Sequence, residues 1–284
     1  MNNIREAAVA GLFYPDKKED LASDVNRYLK NARASALSST DKEKQFDGGQ
    51  PKAIIVPHAG YVYSAMTAAK AYIKLTNYVD TITRIILLGP AHRVYLKGLA
   101  LSTATLFRTP LGDVPTDLSL HERLVQHPFV QIMNQAHSKE HSLEVQLPFL
   151  QVLLNKFTVL PIVIGDADVN DVLTIIESLW GGQETLIVIS SDLSHFENYL
   201  SAQTIDKSTC HAIESLSPEL IKQQQACGSI GIKGLLRAAK RHELGVRTLD
   251  LCNSGDTAGD RNRVVGYGSW AFTPEASPDN THLN

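Results

Sequence analysis

Cysteine is scarce in this chain: three in 284 residues, Cys210, Cys227 and Cys252. The number is odd and no pair has CxxC spacing, which excludes a disulfide framework and a structural zinc knuckle. Charge of one sign is lacking too. Against 30 Asp and Glu stand 27 Lys and Arg, for a net charge of −3, without the basic footprint of a nucleic-acid binder. No run approaches the roughly 18 apolar residues of a membrane span. The first residues, Met1-Asn-Asn-Ile-Arg-Glu6, lack the basic-then-apolar layout of a secretory signal. These absences predict a cytoplasmic protein whose partners include neither nucleic acid nor membrane. Also missing are GxGxxG opening a helix, GxxxxGK[ST] and GxSxG, which leaves nucleotide binding and serine hydrolysis without support.

What is present is an alternation of apolar runs and helical patterns. Strand patterns cover 53–57, 84–88, 157–164 and 185–190, with an extended stretch through Leu99–Ser102 and closing strands at 246–252 and 264–272. Helical patterns cover 16–29 (Asp16 as N-cap), 62–75, 117–126, 143–155, 168–179, 200–215 and 230–242. Strand, helix, strand repeated is the α/β signature, and antiparallel closing strands would make the sheet mixed. Hydrophobic content of 43% suits a core-forming chain. No linker divides it, so one domain is expected over 1–274, with an exposed loop at 33–51 and a flexible tail at 275–284.

Three of the runs end in a histidine. Ala53-Ile-Ile-Val-Pro-His58, Arg84-Ile-Ile-Leu-Leu-Gly-Pro-Ala-His92 and Thr185-Leu-Ile-Val-Ile-Ser-Ser-Asp-Leu-Ser-His195 each break into Pro, Gly or Ser and then deliver an imidazole. Ligands collect outside the carboxyl ends of strands in open parallel sheets. Imidazole is the commonest metal ligand and titrates nearest neutral pH. Asp192 and His195 are three apart, so a turn would set a carboxylate beside an imidazole, as a general acid/base requires; a helix cap is the simpler alternative. Cys227 precedes a helical pattern in a Gly-rich context. There it can serve as ligand or nucleophile, or be a small buried hydrophobe. In Glu140-His141-Ser-Leu-Glu144, His141 and Glu144 fall at i,i+3, either as site residues or as the charged start of a helix. Cys210 and Cys252 read as packing residues within a helix and a strand.

Taken in order, Pro57-His-Ala-Gly-Tyr61, Leu88-Gly-Pro-Ala-His92, Glu140-His-Ser-Leu-Glu144 with Gln146-Leu-Pro148, Ser190-Ser-Asp-Leu-Ser-His195 and Cys227-Gly228 resemble the Memo family. Its bacterial and archaeal members are called AmmeMemoRadiSam system protein B. The resemblance spans nearly the whole chain. It implies a three-layer α/β domain with a mixed, mostly parallel sheet, phosphorylase/hydrolase-like and akin to class III (LigB-like) extradiol dioxygenases. It further implies one metal ion, iron(II) or copper with zinc as a competitor, held by His58, His92 and Cys227. His195, with Asp192, would be the catalytic acid/base, and Tyr61, Glu140, His141 and Glu144 the pocket wall or second shell. Cys227 stands where the dioxygenases place a carboxylate, which softens the site toward copper and zinc. The implied function is a metal-dependent redox protein acting on a small-molecule substrate that the sequence does not identify, linked to a radical-SAM partner. A non-catalytic binding protein with a vestigial site, and a metal-dependent hydrolase, are the alternatives.

Overall fold

The computed structural model describes residues 3–38 and 49–274. In chain order its elements are β1 (Ile4–Arg5), α1 (Lys18–Ser38), β2 (Ala53–Val56), α2 (Tyr61–Tyr72), β3 (Arg84–Pro90), β4 (Leu99–Leu101), β5 (Leu106–Thr109), β6 (Gly112–Pro115), α3 (His121–Leu124), β7 (Val130–Ile132), α4 (Asn134–Ser138), α5 (Leu147–Leu153), β8 (Thr158–Ile164), α6 (Val169–Ser178), β9 (Thr185–Ser190), β10 (His195–Glu197), α7 (Tyr199–Glu214), α8 (Ser229–Arg241), β11 (Leu244–Asn253) and β12 (Val264–Pro274).

A nine-stranded sheet runs β10-β12-β2-β9-β3-β8-β4-β7, with β11 also paired to β12. Its centre, β2-β9-β3-β8, is parallel, and β12 and β4 flank that block antiparallel. β1, β5 and β6 form a separate three-stranded sheet. The fold is therefore a mixed α/β architecture, as the alternation implies.

Period 2 explains the layers. Ile54, Ile85, Leu87, Leu186 and Val188 face one apolar core, with Leu21, Val25, Ala68 and Leu150 from α1, α2 and α5. Their alternates Ile55, Ile86, Leu88, Ile187 and Ile189 face a second core, with Ile176, Ile213 and Leu235 from α6, α7 and α8. The central strands are buried on both faces, which is why they read as unbroken apolar runs.

Several boundaries differ from the sequence reading. α1 begins at Lys18, and its first intrahelical bond runs from Leu21 N to Lys17 O, so Asp16 lies one residue outside the cap. α1 continues to Ser38, so 33–38 is helix rather than loop; the rest of that loop through residue 48, and the tail at 275–284, lie outside the described residues. The helix expected at 143–155 splits into a 3-10 turn (Glu144–Gln146) and α5. Pro148 has no N–H to donate to the Glu144 carbonyl four residues back, so an α-helix cannot run through that point. At 117–126 only His121–Leu124 is α-helical, after a 3-10 turn at Leu118–Leu120. Among the described residues no helix is long and apolar enough to cross a membrane.

Candidate metal centre

Adjacent parallel strands bring the predicted residues together. β2 delivers His58, β3 delivers His92, and β9, lying between them, delivers Ser190 to His195. His58, His92 and His141 form the cluster: each offers one ring nitrogen, and these atoms lie within 4.8 Å of one another. Ring centroids are 5.1 Å apart for His58–His92, 5.4 Å for His58–His141 and 4.6 Å for His92–His141. His58 is buried, His141 half-buried and His92 exposed, so the cluster opens to solvent on the His92 side. Sequence reading assigned His141 to the pocket wall or second shell; the structure sets its ring among the donors.

Proton bookkeeping tests whether these rings suit a metal. The Pro57 carbonyl only accepts, so the Gln146 group 2.9 Å from it is the amide nitrogen. Gln146 Oε1 correspondingly takes the Tyr72 hydroxyl at 2.9 Å. The second Gln146 N–H donates to Ser190 Oγ at 2.8 Å, and the single Ser190 hydroxyl hydrogen goes to the Ser142 carbonyl at 2.6 Å. Ser190 Oγ can then only accept from His58 Nδ1, 3.0 Å away. His58 is thus the Nδ1–H tautomer, with its Nε2 lone pair free to ligate. Burial, then the neighbouring His92 and His141, hold its pKa well below the ordinary value, so the ring is neutral.

Glu140 fixes His92 the same way. Its Oε1 accepts from His92 Nδ1 at 2.9 Å and from the Ser142 and His141 backbone N–H groups, both at 2.9 Å. Oε2 accepts from His92 N at 2.6 Å. Burial tends to raise this carboxyl, but the proton donors of His141 and His92 and the backbone N–H of Ser142 outweigh it and hold it well below the usual range. A carboxylate behind an imidazole orients the ring and raises its basicity. His141 Nδ1 lies 3.2 Å from Glu140 Oε1, within ion-pair reach of the carboxylate but outside hydrogen-bond geometry. A neutral His58, the lone pairs that the His58 and His92 tautomers leave at Nε2, and the His141 ring beside them fit a transition metal.

Cys227 abuts this group, its Sγ 3.3 Å from His58 Nε2. Burial pushes the thiol up to about 12, and the nearest acceptor for its hydrogen is the His58 lone pair. The segment before α8 is stitched to the β9 loop by Asp192 N→Cys227 Sγ at 3.3 Å, Cys227 N→Asp192 O at 3.3 Å and Gly228 N→Ser191 Oγ at 2.9 Å.

Asp192, His195, Tyr61 and Glu144 each have hydrogen-bond partners of their own. Asp192 is not the partner of His195: its Oδ1 accepts from the His58 backbone N–H at 2.7 Å, and burial raises its carboxyl. His195 Nδ1 donates instead to the Leu193 carbonyl at 2.8 Å, which leaves its Nε2 as the basic nitrogen. The tight turn supplies a backbone acceptor two residues back, and the next residue, Phe196, takes a left-handed φ of 61°. Tyr61 is buried, its hydroxyl bonded to the Val145 carbonyl at 2.8 Å. Glu144 is fully buried and its oxygens are taken by Arg5, Tyr14, Ala8 N and Val9 N. It anchors the N-terminal segment, whose Phe13 ring packs 4.8 Å from His141. Cys210 and Cys252 bond to Thr248 and Thr67 away from the cluster, as packing residues do.

Comparison with known proteins bears on what this arrangement belongs to. The profile described as Memo-like protein matches residues 5–271. The chain belongs to the Memo family. A MEMO1 family protein of Aquifex aeolicus is 34% identical over 275 residues, covering 93% of this chain and 97% of its own. One from Nitrosopumilus maritimus is 32% identical over 283 residues, covering 95% and 99%. Among solved structures, the uncharacterized protein JW3007 from Escherichia coli K12 superposes with a TM-score of 0.52 at 13% identity, over 77% of this chain and 98% of that one, a likeness of fold. The Memo match takes in every residue of the histidine cluster and Cys227.

Proposed function

We propose that this Memo-family protein holds one redox-active metal ion, iron(II) or copper, at His58, His92 and Cys227, with His141 at the same centre, and acts on a small-molecule substrate. The observation that carries the reading is the set of three imidazole donors within 4.8 Å, two of them in fixed tautomers, with a thiol 3.3 Å from one. Two imidazoles and a thiolate suit copper and iron. The bound metal would supply one-electron chemistry with dioxygen.

The chain's own groups divide the remaining work. Ser190 and Glu140 hold His58 and His92 in their ligating tautomers. Cys227 would ligate as the thiolate with its proton released to solvent, which would remove the hydrogen that faces His58 Nε2. His195, with Nδ1 committed to a carbonyl, takes and returns protons at Nε2. Exposure on the His92 side leaves room for a substrate to approach.

A hydrolytic zinc centre is the second reading, and the third imidazole favours it, since three histidines plus water form a known catalytic zinc set. Anaerobic reconstitution followed by metal analysis and absorption spectra separates the two. We expect about one iron or copper per chain and, after oxidation, a thiolate charge-transfer band absent in Cys227→Ala. Full metal retention by the His58→Ala/His92→Ala double variant would sink the site. Zinc alone, without a thiolate band, would support the hydrolase.

A further inference from the structure

At the end of α2 remote from the histidine cluster, an open recess of about 210 Å³ lies between α1, the turn after α2 and β11. α2 begins at Tyr61, three residues after His58, and Lys70 stands about 14 Å further along the helix axis. Three cations line the recess: Lys70 and Lys74, four residues apart, and Arg247 from β11. All three are half-buried. Ser35 of α1 contributes to the wall, and Ile73 and Leu249 give it an apolar side. None of the described residues that line it is acidic. The space is far larger than the roughly 10–15 Å³ that admits one water.

The three cations are not equivalent. Lys70 is neutralised by Asp250 at 2.7 Å, and Asp250 also accepts from Thr67 Oγ1 at 2.8 Å. Lys74 has neither a hydrogen bond nor an ion pair among the described residues. Burial, then the charge of Arg247, lower its pKa. A charge taken out of water without a partner is costly, and a second cation beside it adds to the cost. The carbonyls at the C-terminal end of α2 favour nearby cations, which accounts for the lysines. It does not account for Arg247, which a different element holds against Lys74. An anion between these two groups would relieve their repulsion and leave the Lys70–Asp250 pair intact.

We propose that this recess binds the phosphate group of a small organic phosphate. Lys74 and Arg247 would hold its oxygens, and Ile73 and Leu249 would face its carbon part. Cations arriving from two elements suit a group that offers oxygens in several directions, and guanidinium and ammonium are the usual partners of phosphate. The site stands apart from the histidine cluster and does not depend on any metal there.

Calorimetric titration of the full-length protein with inorganic phosphate, against sodium chloride at equal ionic strength, tests the site. Saturable phosphate binding is expected. It should weaken about tenfold or more in Lys74→Met and Lys74→Gln, as loss of a hydrogen bond to a charged group implies, and be largely kept in Lys74→Arg. In phosphate-free buffer Lys74→Met should melt no lower than the wild type, because no ion pair is lost. It should also lose the rise in Tm that phosphate gives the wild type. The His58→Ala/His92→Ala variant should bind phosphate as the wild type does. Four results would overturn the proposal: no saturable binding, acetate bound as tightly as phosphate, unchanged phosphate affinity in both Lys74→Met and Lys74→Gln, or binding lost with the two histidines and kept without Lys74.

Discussion

Ser190 owns a single hydroxyl hydrogen, and its commitment to the Ser142 carbonyl decides the protonation of a ring on another strand. Glu140 acts on His92 with more force, because a buried carboxylate that accepts four N–H groups, one of them His92 Nδ1–H, holds both the backbone and the imidazole of His92. Glu140→Gln keeps the shape and removes the charge. Loss of a carboxylate that orients a ligating imidazole costs about 10–100-fold in metal affinity, and that loss is the expected outcome in a chelator competition. An unchanged affinity would show that His92 is not a ligand. At this scale part of the cluster was legible in the sequence. His58, His92 and Cys227 follow strand ends or precede a helix in patterns that can be read locally. The place of His141 was not legible. It follows a five-residue helix, and contacts of Glu140 with His92, 48 positions away, bring it in. The hydrogen-bond donor to Asp192 was hidden for a related reason: its spacing to His195 is local, while His58 N, from which it accepts, is 134 positions distant.

The helices that matter most to the site are α6 and α8, since α8 carries Cys227 on its N-terminal side. They pack closely because Gly234 has no side chain: a Cβ there would meet Val172 Cγ1 at 2.5 Å. Gly234→Ala should gain helix propensity but lose more to overpacking, for a net destabilisation of about 1–3 kcal/mol, read from denaturant midpoints. No loss of stability would mean that α6 moves aside freely. Element type was readable for the parallel strands and long helices, where apolar periodicity is set by burial on one or two faces. Short elements were not. β1 is two residues long and exists only because β5 lies beside it. The split at Glu144–Gln146 was legible in principle, since Pro148 announces it.

For the whole molecule, one buried acid outside the histidine cluster sets a pH response. Burial raises Asp206 to about 6, against the opposing pull of its bond from Ser194 N. The unfolded chain titrates this group near 3.9. Between those values the folded state binds more protons at this group, so the contribution of Asp206 to stability is greatest below about pH 4 and falls as pH rises to 6. The total is about 3 kcal/mol at roughly 1.4 kcal/mol per unit. Asp206→Asn should remove that slope from the difference between the two proteins' stability curves; a retained slope would assign it elsewhere. The Glu144 anchor has a consequence in time. Arg5 bonds to the carbonyls of His137 and Glu140 and to the Glu144 carboxylate, 132 to 139 positions on. At about 5–20 residues per second of synthesis, residues 5–14 leave the ribosome on the order of ten seconds before their partners exist. What is made first is seated late, and Phe13 closes over His141 only when the chain returns to meet its own beginning.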